Sequence, residues 1–225
     1  MTSSARTSVF VNAMARNNPA WTQLLGLCPL LAVSVSVANA LGLALASGFV
    51  LLGSAIMIAG TRSWVAPHLR LPTYVLIIAT FTTCAVLLLQ AFAFELYERI
   101  ALFVQIIVTN CMILGRAESF ASRTTVVRAS LDALGTAAGF ALAIIGLGAA
   151  RELFGAGTLF AGTHELLGAW GSVEGVRLLP EALSLTILRT PPGAFIMAAL
   201  LLAAGKACSN KYGKFHTTAA DAPHE

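Results

Sequence analysis

The sequence predicts an all-α integral membrane protein with six transmembrane segments, arranged as two inverted three-helix repeats in which the first helix of each repeat is short or broken. Three observations carry that prediction. Of the 225 residues, 57% are hydrophobic and 11% charged, against about a quarter charged in soluble domains, and the mean hydropathy is +0.82. Apolar runs close to the roughly 20 residues that cross about 30 Å of hydrocarbon recur along the chain. Those runs also fall into two similar sets of three.

Residues 1–16, MTSSARTSVFVNAMAR, are polar, carry Arg6 and Arg16, and lack the apolar centre and cleavage site of a secretory signal, so they read as a short cytoplasmic tail. The charge-free run from Asn17 to Thr61 is too long for one crossing. It divides around Ser34 to Asn39 into a short first segment, Ala20 to Val33, and a full second one, Val35 to Gly60. Leu71 to Phe94 is the third, ending in Glu95, Glu98 and Arg99. Ile100 to Leu114 is short again and is stopped by Gly115 and Arg116. Ala129 to Ala150 and Thr190 to Gly205 are the fifth and sixth. Between them, the glycine-rich stretch 151–189 is too polar to span and reads as an external loop or a surface amphipathic piece. Residues 17–207 thus make one membrane domain, and 208–225 form a second cytoplasmic tail.

Orientation follows from Lys and Arg in the short loops. With six crossings, Arg6 and Arg16, Arg62 and Arg70, the group Arg116, Arg123 and Arg128, and finally Lys206, Lys211 and Lys214 all fall on one side. The other side receives Glu95, Glu98, Arg99 and the long loop, whose Arg151, Arg177 and Arg189 are offset by four glutamates. Both termini are therefore expected in the cytoplasm. The net charge of +4 and the pI near 9.1 reflect those loops, and no nucleic-acid partner is expected.

Residues 39–46 read NALGLALA after the short segment with Cys28, and residues 132–143 read DALGTAAGFALA after the short segment with Cys111. The third members match as PTYVLIIATF from Pro72 against PGAFIMAALL from Pro192. Repeat one covers about 17–94 and repeat two about 100–207. Three crossings per half is an odd number, so the second copy is inverted, and folds built this way place their chemistry near the midplane at interrupted helices.

The cysteines stand at positions 28, 84, 111 and 208 with no CxxC spacing. Pro29 is expected to break the first segment beside Cys28. A segment from Ala20 to Val33 rises only about 21 Å as a helix, too short to cross. Irregular backbone at membrane depth persists only where protein or a polar site satisfies its free N–H and C=O groups. A half-helix ending inside the membrane is the natural reading. The second short segment carries TNC at 109–111, near its own end, so both thiols are expected at half-helix ends, facing each other. Cysteine is also a common buried apolar filler. That is the reading for Cys84 and Cys208, whereas for Cys28 and Cys111 filler and ligand remain open. Two thiolates suit a soft metal, but an iron–sulfur cluster normally takes four. A second, similar polypeptide with its own pair would complete the set.

LLGLCPLLAV from Leu24, TNCMILGRAESFAS from Thr109, SLDALG from Ser130, RELFGAGTLF from Arg151 and PPGAFI from Pro191 together resemble the family containing the E subunit of the Rnf (Rsx) ion-translocating oxidoreductase complexes, relatives of the D subunit of the sodium-pumping NADH:quinone reductase. The resemblance runs from about Asn17 to Ala207. It implies pairing with the homologous A subunit and a [2Fe-2S] cluster shared with it, two cysteines from each. Carried onto this chain, the ligands are Cys28 and Cys111. It further implies the B, C, D and G subunits, flavins on other subunits of the complex, and electron relay between ferredoxin and NAD coupled to ion movement. Residues 161–180 and both tails depart from the family pattern.

No P-loop, GxGxxG, HExxH or nucleophile constellation occurs, so no catalytic site of its own is predicted; the chain acts as one subunit of a translocase. His68, His164, His216 and His224 lie in loops or the tail, and the first and second read as solvated. Asp132 reads as a charge at a helix N-terminus, Glu118 as a partner in a surface ion pair, and Arg151 with Glu152 as interface snorkellers or a gate. Two rivals remain: a stand-alone secondary ion transporter without a redox centre, and a structural anchor for a soluble enzyme.

Overall fold

The computed structural model describes Phe10, Ala13, residues 24–159, Val176, Arg177 and residues 190–217. Of the predicted N-terminal tail, Phe10 and Ala13 are described: both lie against Gly135 of the helix Val126–Ala156 and Ala13 is buried, so these two residues pack on the bundle and do not extend from it as a free tail. The rest of that tail, most of the external loop and the end of the C-terminal tail lie outside the described residues. The described chain is all-helical apart from one pairing of two-residue strands, β1 (Thr158–Leu159) with β2 (Val176–Arg177).

The first helix lying wholly among the described residues, α1 (Leu27–Val33), has seven residues. Pro29 sits in its first turn, where no N–H is required, so the proline opens this helix and does not break it. Gly26, left-handed at φ 79°, turns the chain into it. After Ser34, α2 (Val37–Thr61) runs 25 residues, with the Ser36 hydroxyl accepting from the Asn39 N–H at 3.3 Å as its N-cap. A 3₁₀ turn, Pro67–Leu69, leads into α3 (Arg70–Phe92).

The fourth predicted segment, Ile100 to Leu114, differs most. It is two helices, α4 (Phe94–Gln105) and α5 (Cys111–Ser119), separated by a 3₁₀ turn at Ile106–Thr109 and an extended Asn110. The charged cluster at Glu95, Glu98 and Arg99 is inside α4, not in a loop. Ile100, Val104 and Ile107, three to four positions apart, are buried on one side, and that spacing carries the helix through a charged sequence. A 3₁₀ turn at Ala121–Arg123 precedes α6 (Val126–Ala156), which continues past the expected end at Ala150 and stops at left-handed Gly157. Finally α7 (Pro191–Thr217) starts on two prolines and runs beyond Gly205. Among the described residues, four stretches are long and apolar enough to cross a membrane: Val37–Thr61, Arg70–Phe92, Ile100–Arg123 and Val126–Gly155. Pro191–Gly205 is a shorter apolar helix. With α1 the arrangement accommodates six spans.

α2 and α6 form the centre and run antiparallel. A Cβ at Gly48 would lie 3.6 Å from that of Ala137, and one at Gly148 would lie 3.2 Å from that of Ala40. Small residues at such crossings let backbones approach where lipid supplies no hydrophobic drive. On the other side of α2, the Phe81 ring from α3 fills a notch at Gly53, where a Cβ would come within 2.5 Å of the ring, and Phe49 meets that ring edge-on at 6.3 Å between centroids.

Polar ties mark the two ends of the bundle. At one, Arg62 Nη1 donates to the Thr124 carbonyl at 2.8 Å, joining the turn after α2 to the turn after α5. At the other, Arg151 near the end of α6 donates to Leu31 and Ser34, and to Thr190 before α7. The helix α1 thus leads to one end and α5 to the opposite end, the inverted relation expected of the repeats.

Candidate functional site

The starts of α1 and α5 meet. The Gly26 N–H donates to Cys111 Sγ at 3.0 Å across 85 positions of sequence, and Cys28 follows Gly26 by two. Each thiol therefore belongs to the first turn of a short helix. For Cys111 this corrects the expectation from sequence: it opens α5 and does not close the segment before it. The local reason is Asn110. Its backbone is extended (φ −64°, ψ 115°), and its side-chain Oδ1 accepts from the Met112 N–H at 3.0 Å, capping the new helix while the old one ends.

Packing around the two sulfurs is asymmetric. Pro29, Leu30, Asn110 and Met112 are buried, while Cys28 and Cys111 are exposed. The filler reading, which requires burial, therefore describes neither of them, nor does it describe Cys84, which is exposed on α3 as well. Gly26 is confined: a Cβ there would lie 3.3 Å from Met112 Cβ and 3.4 Å from both Asn110 Oδ1 and a Phe140 ring carbon, on a backbone that L side chains rarely adopt. Buried Asn110 Nδ2 has no hydrogen-bond partner among the described residues. The Gly26 N–H directed at Cys111 Sγ favours an anionic sulfur there.

No set of three or more His, Cys, Asp or Glu side chains is placed to hold a metal among the described residues. The two exposed thiols amount to half of the four that an iron–sulfur cluster normally takes. Cys84 is exposed on α3 and stands apart from the site, and the Cys208 side chain lies outside the described residues. His68 is exposed in the 3₁₀ turn after α2, and the side chains of His164, His216 and His224 lie outside the described residues.

The charged candidates land elsewhere than sequence suggested. Asp132 is not at the start of α6 but in its second turn, buried, and paired with Arg116 of α5. A small cavity beside this pair is lined by Ser54, Ala55, Ile113 and Ala133. Glu118 is exposed and makes no ion pair among the described residues. Arg151 and Glu152 do not snorkel: they are 1% and 3% exposed. Glu152 Oε2 accepts from the Val37 N–H at 2.8 Å, and Arg151 Nη1 donates to the Leu31 carbonyl at 3.0 Å and to Ser34 Oγ at 2.9 Å. Gly26 and Asn110 were not singled out from sequence, although an asparagine directly before the cysteine of TNC is a recognisable helix cap.

A family model described as Rnf-Nqr subunit, membrane protein, matches residues 6–202, a span containing both cysteines. Among curated relatives, the chain is similar to the E subunit of the ion-translocating oxidoreductase complex of Shewanella frigidimarina, with 46% identity over 188 residues, covering 84% of this chain and 81% of that protein. The E subunit of the complex named in the same way from Vibrio parahaemolyticus is 46% identical over 192 residues, covering 85% and 84%. That of Vibrio cholerae is 45% identical over 197 residues, covering 88% and 86%.

Proposed function

Because the chain belongs to the Rnf-Nqr family of membrane subunits, we propose that it is the E subunit of an ion-translocating oxidoreductase complex of the Rnf (ferredoxin:NAD) type, holding half of an intramembrane [2Fe-2S] cluster. Cys28 and Cys111 are its ligands, and the homologous A subunit supplies the other two. The observation that carries this reading is the Gly26 N–H to Cys111 Sγ bond, which brings the cysteine segments of the two repeats into contact. Outward exposure of both thiols supports a group shared across a subunit boundary.

The cluster, when bound, supplies a one-electron store between donor and acceptor groups elsewhere in the complex, among them the flavins and the B, C, D and G subunits. This chain's residues do the holding. The Gly26 N–H donates to a ligand sulfur, Asn110 and Gly26 set the starts of the two helices that present the thiols, and Met112 with Phe140 closes the space behind them. The end of the bundle with Arg62 and Thr124 faces the cytoplasm of a bacterial inner membrane, in keeping with the arginines that gather there. Movement of the two short helices links electron passage to ion translocation.

The test is iron and acid-labile sulfide analysis with paramagnetic resonance on the purified complex, each of the four cysteines replaced in turn. Loss of the cluster with Cys28→Ser and with Cys111→Ser, and retention with Cys84→Ser and Cys208→Ser, is the expected result. A complex without iron, or one that keeps its cluster in Cys111→Ser, overturns the assignment.

A further inference from the structure

We propose that Arg151 and Glu152 are positioning residues for Cys28: reaching across from the second repeat, they hold the turn behind α1 and so fix where this two-turn helix presents its thiol. The inference rests on the reading of Cys28 as a cluster ligand.

α1 has seven residues. A helix this short is nearly all terminus, since four N–H groups at its start and four carbonyls at its end lack intrahelical partners, and by itself it is marginal. Its location is therefore set from outside. At the start, the Gly26 N–H is tied to Cys111 Sγ at 3.0 Å. At the end, Arg151 Nη1 donates to the Leu31 carbonyl at 3.0 Å, three positions after Cys28, and to Ser34 Oγ at 2.9 Å in the following turn. Glu152 takes the Val37 N–H, the first of α2, at 2.8 Å. A cation thus meets the carbonyl end of α1 and an anion meets the amide end of α2, each the favourable sign for that terminus.

Both charges are almost wholly buried in a helix long and apolar enough to span the membrane. Burying them costs several kcal/mol unless hydrogen bonds compensate, so the geometry of the 34–36 turn is strongly enforced. Arg151 Nη2 also reaches the Thr190 carbonyl at 3.5 Å, linking the start of α7 to the same point. Residues that orient metal ligands from behind in this manner move metal affinity by about 10- to 100-fold when altered.

The experiment uses the whole purified complex carrying Arg151→Met, Arg151→Lys or Glu152→Gln. Arg62→Gln serves as the comparison, because it removes a hydrogen bond at the opposite end that does not touch α1. Three quantities are read per assembled chain: the g values and linewidth of the reduced cluster, and the rate of cluster loss to an iron chelator. Arg151→Met should broaden and shift the signal and lose the cluster about tenfold faster. Arg151→Lys should recover part of the change, Glu152→Gln should lie between, and Arg62→Gln should match wild type. Unchanged signal and loss rate in Arg151→Met and Glu152→Gln, or equal changes in Arg62→Gln, overturn the proposal. Should the arginine variants fail to accumulate, Ser34→Ala deletes one acceptor with both charges intact, and a wild-type signal and loss rate there count equally against it. A wild-type complex whose signal does not depend on Cys28 and Cys111 would sink the cluster reading instead. Positioning is then read from the alkylation rate of the Cys28 thiol, which Arg151→Met should alter and which, if unaltered, overturns it.

Discussion

The two short helices at the site carry equivalent thiols but are secured differently. α1 begins at Gly26 with no side-chain cap, and its far end is held by Arg151, 120 positions away. α5 begins at Asn110, whose own carboxamide caps it, and its Arg116 pairs with Asp132, only 16 positions on. Both halves bring a thiol to a helix start. One is secured at its far end through a distant contact and the other through near ones, so the placement of α1 responds to changes far along the chain, whereas α5 is held largely by its own neighbourhood.

The most severe way to break this comparison is to remove either sulfur. Cys28→Ser and Cys111→Ser should each abolish the cluster signal of the purified complex and its redox-driven ion uptake. Uptake in vesicles that persists unchanged in Cys111→Ser would separate the thiols from coupling altogether.

Next in size is the local hold on α5. Asp132→Ala leaves Arg116, whose side chain is only 12% exposed, without its partner, a loss of up to about 3–5 kcal/mol, seen as a lower unfolding midpoint of the solubilised complex. Replacing the pair together, Arg116→Met with Asp132→Leu, should recover most of it. A silent Asp132→Ala would mean that α5 is not held this way.

Gly26→Ala tests the start of α1. The residue sits at φ +79° with three atoms within 3.4 Å of a new Cβ, so about 1–2 kcal/mol is expected from the left-handed backbone, with a further cost if those neighbours cannot move. The smallest effect belongs to the matching cap on α5: Asn110→Ala should cost about 1 kcal/mol, and Asn110→Ser, which keeps a neutral capping oxygen, less. If Gly26→Ala and Asn110→Ala were equally mild, the contrast between the two starts would vanish.

Much of the fold was legible because hydrocarbon imposes it. The second, third and fifth spans, the interruption beside Cys111 and the pairing of two inverted sets follow from apolar runs and turn residues, whereas Pro29 opens its helix and does not break it. The direction of the break at Cys111 was not, since an apolar run looks alike whether helix ends or begins in it; the signal was the polar cap at Asn110. Glu95, Glu98 and Arg99 looked like a loop because charges interrupt the run, yet Ile100, Val104 and Ile107 keep one face buried and the helix intact. Arg151 and Glu152 read as interface charges because their partners, Leu31, Ser34 and Val37, lie more than 110 positions earlier. Burial of that kind is a property of the assembled bundle and leaves no local trace.

Phe81 in the notch at Gly53 has a mechanical consequence. Lodged against bare backbone and braced edge-on by Phe49, the ring works as a key between α2 and α3, and sliding one rod along the other would drive carbon into carbon. The two long rods consequently travel as one strut. Any relative sliding within the bundle must therefore occur between other pairs of helices.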